Sequence, residues 1–133
     1  MKDFLKHFNV EIEYEKLRNE YYEIIPEMKN VEGRIVSMGL VLGVKKKNFV
    51  PSLYLLEKIA KETDNKIFVN DKAEWLFLCG RDVFLNNVIE DNSSSELFLV
   101  QNARDENLGL AKKKGNLIKN IVDRGDFLRR EMN

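Results

Sequence analysis

The chain has 133 residues, of which 44% are hydrophobic and 33% charged, a balance typical of a globular protein with a buried core. Its 22 basic and 22 acidic side chains cancel, which excludes a polycation that binds nucleic acid over its whole surface. A single cysteine excludes an intramolecular disulfide and a cysteine zinc cluster, and no apolar run approaches the roughly 20 residues that span a bilayer. We therefore expect a protein of the cytoplasm with no membrane partner.

The charges are unevenly distributed along the chain. Residues 1–30 carry 5 basic and 7 acidic side chains, whereas residues 101–133 carry 8 basic and 5 acidic ones. Because the net charge is zero, a surface that binds a polyanion has to gather its cations locally. The C-terminal quarter is the better candidate for such a surface.

The N-terminal third contains two candidate elements. In residues 1–30 the apolar side chains from Ile12 onward are near helical spacing, although Tyr21–Ile25 fits a strand equally well. Arg34–Val44 is rich in β-forming residues and predicts a strand. Gly39 and Gly43 interrupt this strand and indicate a bend, a bulge or a close approach of two backbones.

A polar turn at Lys45–Asn48 precedes a predicted helix that begins after Ser52, a plausible N-cap, and runs to about Thr63. The pair Asp64–Asn65 is the best candidate for a domain boundary, since an apolar strand at Lys66–Asn70 follows it. These elements predict an N-terminal domain that mixes helix and strand.

The C-terminal half predicts one short helix followed by strands. Asp71 and Glu74 have the spacing of a capping box at the helix start, and Gly80 fits the position just after its end. Four strands follow, at Val88–Glu90, Glu96–Gln101, Leu108–Lys112 and Asn116–Val122. Several short strands after one helix are typical of a small barrel. The predicted fold class is therefore α+β, with an N-terminal α/β domain and a C-terminal β-barrel.

The sequence offers little for catalysis or metal binding. His7 is the one histidine, so no histidine cluster is possible, and Cys79 has no evident partner base. Phosphate-binding glycine loops of the nucleotide-binding types do not occur. We expect a protein that is not an enzyme and that has neither a metal nor another cofactor.

Two lysine triplets are candidate polyanion contacts, Lys45–Lys47 and Lys112–Lys114. Such runs are as often plain solvated turns. The second triplet has more support, because the same terminal segment also contains Lys119, Arg124, Arg129 and Arg130. A mixed cluster of lysine and arginine at one edge of a small barrel is a reasonable footprint for RNA. Without an evident stripe of exposed aromatic residues, we expect recognition of backbone and shape more than base stacking.

Residues 79–92, Cys-Gly-Arg-Asp-Val-Phe-Leu-Asn-Asn-Val-Ile-Glu-Asp-Asn, together with the strands at Lys66–Asn70 and Leu108–Ala111, resemble the PUA domain. Residues 35–65 and the ending Asn120–Glu131 extend this likeness. With an N-terminal part of this kind followed by a PUA-like part, the chain resembles a small family of PUA-domain ribosome-biogenesis factors shared by archaea and eukaryotes (Nip-seven-like).

The resemblance implies a domain at 1–65, a PUA domain at 66–133 and a monomeric, non-catalytic adaptor on large-subunit pre-rRNA. Other ribosome-assembly proteins would bind the N-terminal domain, in the cytoplasm or, in a eukaryote, the nucleolus. Positions that match the RNA-binding part of PUA domains, with the basic residues around them, are Gly80, Arg81, Lys112, Lys113, Lys114, Lys119, Arg124, Arg129 and Arg130.

Two other functions fit the same residues. A PUA module can present tRNA to a separate RNA-modification enzyme as an accessory subunit. Alternatively, the basic C-terminal segment can bind an acidic protein, which would make the chain a scaffold without an RNA partner.

Overall fold

The computed structural model describes residues 1–24 and 39–126, and every element below lies within them. Three helices are found there: α1 Lys2–Lys6, α2 Leu53–Ala60 and α3 Asp71–Leu78. The strands of the N-terminal sheet are β1 Tyr14–Leu17, β2 Glu20–Glu23, β3 Val41–Lys45 and β4 Phe49–Pro51. The strands of the C-terminal sheet are β5 Lys66–Val69, β6 Val83–Phe84, β7 Val88–Asp91, β8 Leu97–Asn102, β9 Asn107–Lys114 and β10 Leu117–Asp123.

The N-terminal sheet is antiparallel throughout, in the order β1-β2-β3-β4. The helix predicted from Ile12 onward is wrong, and the alternative of a strand from Tyr21 is correct as far as Glu23. A two-residue turn pairs Leu17 with Glu20, and Tyr21 is buried against the rings of Tyr14 and Phe49. Packing across the sheet thus overrides a local spacing that was compatible with a helix.

Strand β3 confirms residues 41–44 of the strand predicted at Arg34–Val44; residues 39–40 are not in a strand, and residues 34–38 lie outside the described residues. Gly43 marks a close approach, because a Cβ atom there would lie 2.4 Å from the Phe49 ring and 2.7 Å from the Val50 carbonyl oxygen. The predicted polar turn is also confirmed, since Lys46 donates a backbone hydrogen bond to Asn48 over 3.1 Å.

Ser52 caps helix α2 as predicted. Its Oγ accepts a hydrogen bond of 3.1 Å from the Leu55 N–H and donates one of 2.7 Å to the Val41 carbonyl. The helix ends at Ala60 rather than near Thr63. The cap therefore fixes both the start of α2 and its attachment to β3.

The C-terminal sheet runs in the order β6-β10-β9-β8-β5-β7. Only the β5–β8 pairing is parallel among these strands. A 3₁₀ turn at Leu85–Asn87 connects the two edge strands β6 and β7, which gives a nearly closed, PUA-like barrel. The strand predicted at Lys66–Asn70 and the four predicted after α3 are all confirmed, whereas β6 was missed because two residues carry no detectable periodicity.

The N-cap of helix α3 lies one residue earlier than predicted. Asn70, not Asp71, is the N-cap, and its Oδ1 accepts a hydrogen bond of 2.9 Å from the Ala73 N–H. Glu74 instead accepts a hydrogen bond from the Asn102 side chain, so the capping box is wrong. Gly80 follows the C-cap with φ near +88°, which confirms its predicted role as a helix stop.

The two sheets share part of their core. One cluster lies inside the barrel, around Phe77 and Phe98. A second cluster packs N-terminal side chains, including Leu55, against Leu99 and Leu110 on the outside of the barrel. The fold class predicted from the sequence, α+β with a C-terminal barrel, is confirmed.

The junction between the two sheets contains a buried asparagine at the predicted boundary. The Asn65 Nδ2 donates hydrogen bonds to the carbonyls of His7, over 2.7 Å, and Leu97, over 2.9 Å. Its Oδ1 accepts a hydrogen bond of 2.8 Å from the Ser94 N–H. This residue therefore binds α1 to the barrel. In the described ranges, no helix is long and apolar enough to cross a membrane.

Candidate nucleic-acid interface

The hairpin of β9 and β10 brings predicted site residues onto one exposed face. Lys112 and Lys119 are register partners, which places their Cβ atoms about 5 Å apart. Lys114 lies two residues along β9 on the same face, and all three side chains are exposed. Like charges directly opposite one another destabilise a sheet, so a bound anion would relieve this repulsion. We call Lys112, Lys114 and Lys119 the lysine face.

Lys113 lies on the opposite side of the same strand. Its Nζ is 3.6 Å from Oδ2 of Asp91 on the edge strand β7. Partial burial tends to raise the pKa of Asp91, but hydrogen bonds from Ser93 and the charge of Lys113 outweigh this and lower the pKa. The structure therefore separates Lys113 from its two sequence neighbours.

The loop after α3 is attached to β10 beside Lys119. The Asn120 side chain donates hydrogen bonds to the carbonyls of Phe77, over 2.9 Å, and Arg81, over 3.4 Å. The Asn120 N–H donates one of 2.8 Å to Asp82 Oδ1. These bonds hold the loop that contains Gly80 and the exposed Arg81 against β10, one residue from Lys119.

Arg124 lies at the other end of β10. Lys114 pairs with Leu117 at one end of the hairpin and Gly109 pairs with Asp123 at the other, so Arg124 is about 16 Å along the strand from Lys119. Its charge contributes, after Asn102 and Arg104, to the lowered pKa of Glu106. The structure does not join Arg124 to the lysine face. Arg129 and Arg130 lie outside the described residues.

Two exposed aromatic side chains were missed. Phe84 is 62% exposed and pairs with Leu117 beside the lysine face, and Trp75 is 67% exposed on α3. Phe84 borders an open cleft with Lys72 of α3. The sequence signal for Trp75 is its position two residues before the buried Phe77, on the opposite side of the helix.

Other candidate chemistry is sparse in the described parts of the chain. There, no group of three or more histidine, cysteine or acidic residues could hold a metal ion. Cys79 is exposed, and the His7 ring is hydrogen-bonded to the Ser95 hydroxyl at the junction. Neither arrangement forms a nucleophile with an oriented base.

The barrel, the glycine loop after its first helix and the basic strand beside that loop define a PUA-domain protein. A profile of the UPF0113 PUA domain family matches residues 65–132, just over half of the chain. The chain belongs to the UPF0113 PUA domain family.

Similar proteins come from archaea. The chain is 29% identical over 145 aligned residues to a UPF0113 protein of Archaeoglobus fulgidus, covering 97% of this chain and 83% of that one. Its fold is similar to that of a conserved PUA domain protein from Thermoplasma acidophilum, with a TM-score of 0.58 and 18% identity. That match covers 92% of this chain and 82% of the other, so it includes the N-terminal sheet.

Proposed function

We propose that this protein is a non-catalytic RNA-binding adaptor that acts in ribosome assembly, with large-subunit pre-rRNA as its RNA. The observation that carries this proposal is the lysine face, where Lys112 stands directly opposite Lys119 in a chain of zero net charge. A neutral protein that places exposed like charges side by side has a local binding surface for a polyanion.

The lysine face would contact successive phosphates, since a lysine ammonium binds phosphate as a mobile point charge. Arg81 next to it can bind two phosphate oxygens or stack on a base, and Gly80 allows close approach of a ribose–phosphate backbone. The exposed ring of Phe84 adds a surface on which a base can stack. Lys113 and Arg124, which lie away from the lysine face, together with Arg129 and Arg130, would add separate contacts to the RNA.

We propose different binding partners for the parts of the chain that contain the two sheets. Residues 66–133 would bind RNA, and residues 1–65, with the acidic excess of their first 30 residues, would bind other assembly proteins. We propose a monomer that works in the cytoplasm, or in the nucleolus if the source is a eukaryote. The UPF0113 relatives support the PUA assignment on which this division rests.

The first experiment measures RNA affinity at several salt concentrations. The double variant Lys112→Glu/Lys119→Glu should bind a single-stranded RNA oligomer more weakly. It should also reduce the slope of log Kd against log salt by about 1.4, because two phosphate contacts are lost. The matched control is Lys46→Glu/Lys47→Glu, which makes the same charge change in the exposed turn before β4. Equal affinities for the wild type and the lysine-face variant would refute the site.

The RNA itself is identified by cross-linking the intact protein in its own cells and sequencing the bound RNA. Reads on one region of large-subunit pre-rRNA are the expected result. Reads on tRNA would favour an accessory subunit of a modification enzyme, and no enrichment would favour a protein-binding scaffold.

A further inference from the structure

A second concave site lies between helix α2 and the barrel, well away from the lysine face. We call it the domain cleft. Glu57 and the C-cap residue Lys61 line one side, and Gln101, Asn107 and Arg124 line the other. It encloses about 480 Å³, a size common for pockets that hold small molecules.

The floor of the domain cleft contains amides without partners. Gln101 is 2% exposed and Asn107 3% exposed, and they are register partners on β8 and β9. In the described part of the chain, Gln101 Oε1 and both Asn107 Nδ2 and Oδ1 are buried side-chain atoms with no hydrogen-bond partner. Buried polar groups are nearly always paired in native proteins, so a pair of orphaned amides requires an explanation.

Asn102, the residue after Gln101 on β8, is a buried amide whose polar atoms have hydrogen-bond partners. It is 2% exposed, and its Nδ2 donates hydrogen bonds to Glu74 and Glu106. Its Oδ1 accepts hydrogen bonds from the N–H groups of Arg104 and Glu106. This end of the barrel can therefore supply hydrogen-bond partners for every polar atom of a buried amide. The lack of partners at Asn107 is specific to that position.

The chemistry of the domain cleft favours an uncharged ligand. An anion at its floor would meet the carboxylates of Glu57, Asp105 and Glu106, so a phosphate is disfavoured there. The orphaned atoms include both donors and acceptors, and the edge of a nucleobase presents both in one plane. Lys61 and Arg124 lie on the walls, where they can contact the phosphates on either side of an inserted base.

We infer that the domain cleft binds the base of one unpaired nucleotide of the RNA, with Asn107 and Gln101 as its hydrogen-bonding residues. This inference rests on the proposed function and adds a base contact to it. An unpartnered amide loses no internal hydrogen bond when it turns toward a ligand, so the bound base satisfies atoms that the fold leaves unpaired. Arg124, which the structure separates from the lysine face, then serves this second contact.

A stability measurement tests the amides without RNA. Asn107→Leu replaces an orphaned amide by an apolar side chain of similar size, and its melting temperature should equal or exceed that of the wild type. The matched control Asn102→Leu removes a fully paired amide and should melt about 4–8 °C lower. An Asn107→Leu variant that melts as low as Asn102→Leu would overturn the inference, because water would then already satisfy Asn107.

A binding measurement tests the ligand. The wild type is compared with Gln101→Met/Asn107→Leu for a ten-nucleotide RNA of mixed sequence and for the same sugar–phosphate chain without bases. The wild type should bind the base-bearing oligomer more tightly than the abasic chain. In the variant, the ratio of the two affinities should be about tenfold smaller, while the affinity for the abasic chain equals that of the wild type. An unchanged preference would overturn the base site and leave the proposed function standing, whereas a wild type that binds neither oligomer would overturn both.

A cross-linking measurement separates RNA from a protein ligand. A photo-reactive amino acid replaces Lys61, which is exposed at the cleft. Cross-links in cells should carry RNA. Cross-links to polypeptide alone would mean that the amides bind the backbone of a protein partner, and would overturn the inference.

Discussion

Asn120 shows at the scale of a residue how a surface is positioned from inside the fold. Its side chain ties the end of α3 and the following loop to β10, through the carbonyls of Phe77 and Arg81. Neighbouring Lys119 points outward while Asn120 points to the loop, because side chains alternate along a strand. The Arg81 backbone therefore lies against β10 one residue from Lys119, although 38 positions separate Arg81 and Lys119 in the sequence. No local pattern encodes that proximity.

Glu23 is the centre of a second network, which joins β2 to α2. It accepts a hydrogen bond from the Tyr54 hydroxyl, and its Oε1 lies 2.8 Å from Lys58 Nζ. Burial tends to raise the pKa of Glu23, but the bonds from Lys58 and Tyr54 outweigh it, so the folded pKa lies below the ordinary 4.5. The stability due to the carboxylate is therefore present above pH 4.5 and lost as the pH falls through the lower folded pKa.

We expect Glu23→Gln to lower the free energy of unfolding at pH 7 by about 1 kcal/mol. The variant should also lose part of the wild type's decline in stability at acid pH, since no carboxylate remains to be protonated. Urea unfolding of both proteins between pH 3 and 7 measures the effect. Glu20→Gln, at an exposed position of the same strand, is the matched control. Parallel pH profiles for wild type and Glu23→Gln would contradict the prediction.

Strand β9 shows at the scale of an element how the barrel closes. Its register shifts against β8 after Val100 and against β10 after Asn120, and Gly109 lies within this irregular part with φ near +154°. A Cβ atom at Gly109 would lie 2.1 Å from the Val122 carbonyl oxygen and 2.9 Å from Asp123 Cα. Bulges of this kind increase strand twist, which a small barrel needs to curve back on itself.

Gly109→Ala should therefore destabilise the protein severely, by about 3 kcal/mol or more, because the backbone of β10 has to move. Gly115→Ala is the matched control: its φ is near +60° and nothing lies within 4 Å of the added carbon. That change should cost only about 1 kcal/mol, from the positive φ alone. Chemical denaturation measures both variants, and similar losses would disprove the role of the close approach.

The N-cap of α2 and the glycine stop after α3 were predicted more accurately than the tertiary contacts that the helices make. Ser52 and Gly80 act locally, as a cap and as a stop, and their positions are confirmed. Asp71 was predicted as a cap, but both Asn70 and Asp71 are good capping residues and the turn between β5 and α3 selects Asn70. Local signals thus identify the starts of α2 and α3 to within a residue, although α2 ends three residues before the predicted Thr63, and packing chooses among equivalent capping side chains.

At the scale of the whole molecule, the core that joins the two sheets is the main feature. Leu99, Leu110 and Val122 lie on the outside of the barrel, yet all three are at most 9% exposed because they belong to the N-terminal cluster. Helix α2 packs against β9 through Leu55 and Leu56, which are fully buried. The barrel therefore presents an apolar surface that needs the N-terminal sheet as its cover.

We expect a fragment of residues 65–133 to be less stable than the full chain and to aggregate, because removal of α2 exposes Leu99 and Leu110. Thermal unfolding followed by circular dichroism, with light scattering at the same protein concentration, measures this. Replacement of both leucines by threonine should improve the solubility of the fragment and destabilise the full chain. A fragment as stable and soluble as the full chain would show that the shared core is dispensable.

Much of the site was predictable because charge and composition are properties of the sequence itself. The lysines of the lysine face and Arg81 were predicted from the basic segment and from the PUA resemblance; the structure places the three lysines on one face and the Arg81 backbone one residue from Lys119. Lys113 and Arg124 could not be separated from that group, because alternation along β9 and the length of β10 decide which side chains share a face. Phe84 was missed because its strand is two residues long.

The sequence by itself determined the α+β class, five strands of the barrel, the N-cap of α2, the glycine stop of α3 and the basic character of the C-terminal quarter. These follow from local periodicity, turn chemistry and charge, which need no knowledge of distant residues. The tertiary structure alone decided the hairpin in place of a helix before Tyr21, the opposition of Lys112 and Lys119, and the orphaned amides of Gln101 and Asn107. Each of these depends on contacts between segments far apart in the chain, and such contacts leave no local pattern in the sequence.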